Sequence, residues 1–130
     1  MQSARLHAML NHGTAAVADY RKVAALRPND PNVLADLADM LAATGGGSLE
    51  GEPIQLVDRA LAIDPNHVKA LALKGSYAMT QRDFRTALDA WNQALKVAQP
   101  GDPIAQFLRQ QMDDMREMAR RAAAAASATK

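Results

Sequence analysis

Apolar residues recur along this chain every three to four positions, and nothing alternates with a period of two, which is the pattern of helices packed on one face. Leu34, Leu37, Ala38 and Leu41 form one such stripe. Asp30-Pro31 opens it as N-cap and first helical residue, and Gly45-Gly46-Gly47 closes it. The spacing predicts a second helix from about Pro53 to Ile63, with Ile54, Val57, Ala60 and Leu61 on one face. A third is expected from about Val68 to Gln81, through Leu71, Gly75, Ala78 and Met79. Asp83 then caps a fourth, which buries Phe84, Ala87, Leu88, Trp91, Ala94 and Leu95. Asp102-Pro103 starts a last helix, carrying Ile104, Phe107, Leu108, Met112 and Met115. Upstream, Leu6, Met9 and Leu10 mark a short helix, His12-Gly13 a turn, and Ala16, Val17, Tyr20 and Val23 the next helix, so seven helices are expected in all.

The stripes repeat as a unit. Pro28-Asn29-Asp30-Pro31-Asn32-Val33-Leu34-Ala35 overlays Pro65-Asn66-His67-Val68-Lys69-Ala70-Leu71-Ala72, and the two prolines are 37 residues apart. The next counterpart of the proline position is Gln99, 34 residues on. A 34-residue period with paired helices is the tetratricopeptide pattern. That pattern needs small residues where paired helices cross and large ones to fill the gaps, which in the best repeat are Leu71, Gly75, Ala78, Ala87, Trp91 and Ala94. Lys74 departs from it, standing where an apolar residue is usual, so its stem must snorkel or the packing there loosens. The expected fold is all-α: three helix pairs (about residues 1–28, 31–65 and 66–99) and a C-terminal capping helix (about 103–121), in a right-handed superhelical stack. Residues 1–121 read as a single domain, and the Ala-rich stretch 122–130 as a low-complexity tail that frays.

Composition narrows the chemistry. The 130 residues suffice for one domain, and alanine takes about a fifth of them, the strongest helix former and one that lets helices approach closely. Lys+Arg 15 against Asp+Glu 14 leaves a net charge of +1, no electrostatic footprint for nucleic acid or an anionic membrane. The absence of cysteine excludes disulfides, thiolate metal sites and thiol nucleophiles. No apolar run approaches the ~20 residues of a membrane span, and the N-terminus lacks the apolar core of a signal peptide. His7, His12 and His67 are too scattered for a metal site, and ordinary turn or surface roles suit them. Asp36 with Asp39, and Asp113 with Asp114, are neighbouring carboxylates on which no base, nucleophile or oxyanion donor converges. Gly45–Gly47 precede a Ser-Leu-Glu turn and follow no strand, so they form no phosphate loop. The chain reads as non-enzymatic, with no cofactor.

One stretch is more specific than the repeat. The run Leu34-Ala35-Asp36-Leu37-Ala38-Asp39-Met40-Leu41-Ala42, the insertion Gly46-Gly47-Ser48-Leu49-Glu50-Gly51-Glu52-Pro53, and Arg59-Ala60-Leu61-Ala62-Ile63-Asp64-Pro65-Asn66-His67-Val68-Lys69-Ala70-Leu71-Ala72-Leu73 together resemble the cytochrome c biogenesis factors of the CycH/CcmI type. Asp83-Phe84 and Ala90-Trp91 continue the resemblance, which covers about residues 15–115. It implies the periplasmic C-terminal domain of a bacterial inner-membrane protein, one that holds an unfolded apocytochrome c, largely by its C-terminal helix, and presents it for haem ligation. The chain resembles less closely the subunit for nitrite-reductase maturation, which binds a haem-lyase subunit instead. It lacks the family's membrane segments, and only Met1 to Leu10 remain for the leading helix of its first repeat. It therefore reads as a trimmed piece or a stand-alone relative.

In the repeat register the inward-facing positions are Arg5 and Met9, then Asn32, Ala35, Asp39 and Ala42, then Lys69, Ala72, Ser76 and Met79. Small residues there leave room for a guest helix, the methionines give adaptable apolar contact, and Arg5, Asp39 and Lys69 offer orienting charges. The competing reading makes the alanines helix formers on a solvated face. Met112, Met115 and Met118 form a stripe on the last helix: the first two suit packing, while Met118 suits packing and an adaptable binding face equally. Tyr20 and Trp91 are expected in the core. The function these readings converge on is a groove that holds an apocytochrome helix or a haem-lyase subunit. The alternative is a scaffold that self-associates as a homo-oligomer or assembles a membrane complex without a client.

Overall fold

The computed structural model describes residues 2–128, with side chains from residue 13 onward. All regular structure in that range is helical: α1 (Gln2–Leu26), α2 (Pro31–Thr44), α3 (Glu52–Ile63), α4 (Val68–Thr80), α5 (Phe84–Val97) and α6 (Pro103–Ala128). Neighbours in sequence pack on one another throughout, and the leading helices also touch across repeats, α2 against α4 and α4 against α6. This is the helical-repeat architecture that the period predicts.

The helix boundaries follow from local chemistry. Asp30 accepts from the Asn32 backbone N–H at 3.0 Å, with Pro31 in the first turn. Asp102 accepts likewise from Ile104 N–H at 2.9 Å. Asp83 accepts from the Thr86 N–H at 3.2 Å and from the Thr86 hydroxyl at 2.7 Å, and these bonds hold its carboxyl below the usual carboxylate range. After α4 the chain turns through Arg82, the one non-glycine residue with positive φ (58°) among those described. Arg82 N–H bonds to Met79 O at 3.0 Å and Asp83 N–H to Ala78 O at 2.9 Å, a left-handed C-terminal cap that passes straight into the next N-cap.

Two core clusters fill the stack. Leu34, Leu37, Ala38, Ile54, Val57 and Ala70 form the first, with Val17, Tyr20, Leu73 and Tyr77 packed against it. The second gathers Leu71, Ala90, Trp91, Ala94, Leu108 and Met112. Burying each large side chain contributes about 1.5–3 kcal/mol of transfer free energy. Trp91 is 2% exposed, and its indole N–H donates to Ala72 O at 3.2 Å. A Cβ on residue 75 would lie 2.1 Å from that indole nitrogen, so the ring's seat exists only because Gly75 has none. Lys74 does snorkel: its ammonium meets Asp58 of α3 at 2.8 Å.

The N-terminal end corrects one expectation. The turn predicted at His12-Gly13 is absent, and α1 runs unbroken from Gln2 to Leu26, so among the described residues six helices replace the expected seven and the leading pair is one helix. Glycine inside a helix costs about 1 kcal/mol relative to alanine, and here close approach accounts for it. A Cβ at residue 13 would stand 2.9 Å from Thr44 Cγ2 of α2. The sequence signal was a glycine for helix–helix contact, read as a glycine for a turn. At the other end, α6 continues through the alanine run to Ala128, every residue of that run exposed.

Candidate functional site

The leading helices α2, α4 and α6 stand side by side, and between them lies a groove of about 290 Å³. Asp39 of α2, Lys69, Ala72, Leu73 and Ser76 of α4, and Pro103, Ile104 and Phe107 of α6 line it. Four of the inward positions expected from the register, Asp39, Lys69, Ala72 and Ser76, thus meet in one place.

The others go elsewhere. Ala35 is 0% exposed and belongs to the first core cluster, and Ala42 is also buried, so both are spent on packing and neither can touch a guest on the surface. The small side chain that reads as room for a guest is here room for neighbouring helices. Asn32 is exposed at the foot of α2, where its side-chain oxygen lies 2.6 Å from His67 Nε2. Met79 is half-buried against the second core and lines a different furrow. Arg5 and Met9 lie outside the residues whose side chains are described.

His67 has a structural post. Its Nδ1 accepts from the Ala70 N–H at 3.1 Å and caps α4. With Nδ1 accepting, the proton resides on Nε2, which donates to Asn32. The same turn is tied to α5 by Gln93, which donates to Asn66 Oδ1 at 2.6 Å. Of these bonds, the one between His67 and Asn32 ties the start of α4 to the start of α2.

Charge on the groove is concentrated at one end. Lys69 Nζ sits 2.8 Å from Asp36 Oδ1 and 3.2 Å from Asp39 Oδ2. Partial burial pulls the lysine's pKa down, but hydrogen bonds and the charges of Asp36 and Asp39 outweigh it and hold the group above the usual lysine range. Apart from Ser76, the rest of the lining is apolar. Phe107 is 52% exposed there, an aromatic ring left in water.

Sequence reasoning missed the α6 wall. Ile104 and Phe107 were assigned to the apolar stripe of a cap, and Leu73 to no site at all. The signal was available: Asp102-Pro103 stands 35 residues after His67-Val68, and the same step carries Lys69 to Ile104 and Ala72 to Phe107. The last helix keeps the register of the leading helices and supplies the third side of their face.

A second furrow, of about 500 Å³, opens between the end of α4, α5 and the second half of α6. Phe84, Leu88 and Asn92 form one wall, and Met112, Met115 and Met118 the other. Met112 is 3% exposed and Met118 68%. The stripe therefore grades from core to surface along the helix, with Met112 packed and Met118 in water.

Among the described residues no three His, Cys, Asp or Glu side chains gather closely enough to hold a metal ion, and no helix is long and apolar enough to cross a membrane.

No protein-family model matches the chain. It is similar to the formate-dependent nitrite reductase complex subunit NrfG of Escherichia coli O157:H7, 28% identical over 81 residues, which is 62% of this chain and 41% of that protein. It is also similar to the cytochrome c-type biogenesis protein CycH of Pseudomonas aeruginosa, 28% identical over 99 residues, 76% of this chain and 24% of that protein. The chain thus spans less than half the length of either relative, and the resemblance to the CycH type read from its own motifs is borne out.

Proposed function

We propose that this chain is a protein-binding repeat module of c-type cytochrome maturation, holding a helical segment of an apocytochrome, or of a partner maturation subunit, against α2, α4 and α6. The observation that carries this reading is the groove itself: an apolar trough on the shared face of three leading helices, with a charged cluster at one end to orient a guest. A helix laid in such a trough would be anchored by a few apolar side chains, the mode in which grooves recognise amphipathic helices. The module works by occupancy, with no chemical step of its own. It keeps an aggregation-prone segment covered while the rest of the guest stays reachable for haem attachment. Similarity to CycH and NrfG supports the pathway and, with it, a periplasmic setting. The single folding unit over residues 1–121 belongs to the same proposal.

Calorimetric titration with peptides from the C-terminal helices of c-type apocytochromes, against scrambled controls, tests it. Saturable binding to the native peptides alone is the expected result. Equal heats from scrambled peptides, or none from either with a helical domain, would overturn it.

A second reading has its own observation. Phe84 and Met118 are exposed in the furrow and Leu26 is exposed at the end of α1, which favours a scaffold that self-associates. Sedimentation at high concentration separates the two, since a strictly monomeric species is incompatible with the scaffold.

A further inference from the structure

The groove has a polarity that fixes what kind of helix it takes. Lys69 is the cation in its lining, and two carboxylates already hold it. One positive charge against two negative ones leaves the cluster with an excess carboxylate. Asp36 Oδ2 and Asp39 Oδ1 have no partner among the described residues, and Asp39 is the carboxylate that lines the groove. The second feature is independent. Phe107, half in water on the opposite wall, presents an aromatic ring, whose face attracts cations and gains nothing from anions. Between ring and carboxylates the floor is apolar, made by Ala72, Leu73 and Ile104.

We infer that the groove selects a basic amphipathic helix, whose apolar side chain sits on Leu73 and Ile104 while a neighbouring lysine or arginine reaches the Asp36–Asp39 carboxylates, across the floor from Phe107. This rests on the groove being a helix-holding surface and adds the chemistry of the guest. An acidic guest would have to displace Asp36 or Asp39 from Lys69 and would bring a third carboxylate to the same place. A purely apolar guest would leave the free carboxylate oxygens short of water on one side. The basic helix alone satisfies the floor, the ring and the excess charge together. At groove positions this exposed the electrostatic part is modest and weakens with salt.

The test uses two synthetic amphipathic helices, identical in their leucine face and differing in one flanking residue, lysine in one and glutamate in the other. Fluorescence anisotropy of each, titrated with the full chain at low and at high salt, reads the preference directly. The lysine peptide is expected to bind about tenfold tighter at low salt, with the ratio shrinking at high salt. Asp39→Asn, which leaves Lys69 paired to Asp36, should bring the ratio to about threefold or less. Phe107→Ser should weaken both peptides, since it removes apolar surface from the α6 wall. Circular dichroism on each variant confirms that the helices persist. Equal binding of the two peptides overturns the basic preference and leaves the helix-holding groove standing. Tighter binding of the glutamate peptide overturns the preference in favour of Lys69 as the recognising charge. Failure of both peptides to bind a folded chain overturns the groove reading and this inference with it.

Discussion

The stack contains the same junction twice, once closed and once open. Where α4 docks on the α2–α3 pair, Leu73 and Tyr77 pack onto the first core, Lys74 reaches Asp58 at 2.8 Å, and His67 reaches Asn32 at 2.6 Å. Where α6 docks on the α4–α5 pair, Leu108 and Met112 take the places of Leu73 and Tyr77, 35 residues on. The counterparts of Lys74 and Asp58 are Arg109 and Asn92, and no hydrogen bond or ion pair joins them. The junction then splays into the 500 Å³ furrow, with methionines on one wall. An aromatic ring and a charge pair close the first junction; flexible thioethers and an uncharged amide leave the second ajar. Among the described residues α4 packs on α2, α3, α5 and α6, whereas α6 packs on α4 and α5 alone.

The largest test removes the wedge on which the open junction rests. Trp91→Ala is expected to cost about 3–5 kcal/mol in urea unfolding, because the indole fills the second core and seats on Gly75. Hydrogen exchange should show where that loss falls. Amides of α5 and α6 are expected to lose protection first, with those of α2 and α3 retaining most of theirs. Uniform loss along the chain would mean that the two junctions act as one cooperative unit and that their difference in closure carries no energetic weight.

The next test stays on one helix. Met112→Ala should destabilise by about 2–3 kcal/mol, as a buried methionine truncated in a packed core, whereas Met118→Ala should stay within about 0.5 kcal/mol, as an exposed side chain. The two are six residues apart on α6, 3% and 68% exposed. Similar costs for both would mean that the furrow is closed in solution by something that covers Met118.

Much of the helical frame was readable from residue order, and the failures have a common cause. Caps at Asp30 and Asp83, the glycine stop after α2, and the crossing of Gly75 with Trp91 rest on local stereochemistry or on strict spacing, and the structure keeps them. Gly13 shows the limit, since a glycine that permits a turn and a glycine that permits close contact look identical in sequence, and only Thr44 distinguishes them. Ala35 and Ala42 fail for a related reason. Register names the face a residue is on, but packing in the stack buries part of that face against its neighbours. The groove's α4 side was legible from the repeat, while its α6 wall required treating the cap as one more leading helix. The two aspartates were legible as neighbours on α2, but their shared lysine comes from a helix 33 residues away and had to be seen in place.

The smallest prediction asks whether the open junction can be closed by copying the other. In the register, Asn92→Asp recreates at Arg109 the pair that Asp58 makes with Lys74. An exposed pair of this kind contributes a few tenths of a kcal/mol, about 0.3–0.5 at low ionic strength, and less with added salt. The expected outcome is therefore a small, salt-sensitive gain in unfolding free energy, with Lys74→Ala giving a loss of similar size at the closed junction. A gain that persists in high salt would point to tighter packing of the methionines behind the new pair, a larger change than the charges alone can make. No gain at all would place the cause of the furrow in shape, in the replacement of Tyr77 by Met112. Met112→Tyr in the Asn92→Asp background would then be the substitution that draws α6 onto α5, read as slower exchange of the α6 amides.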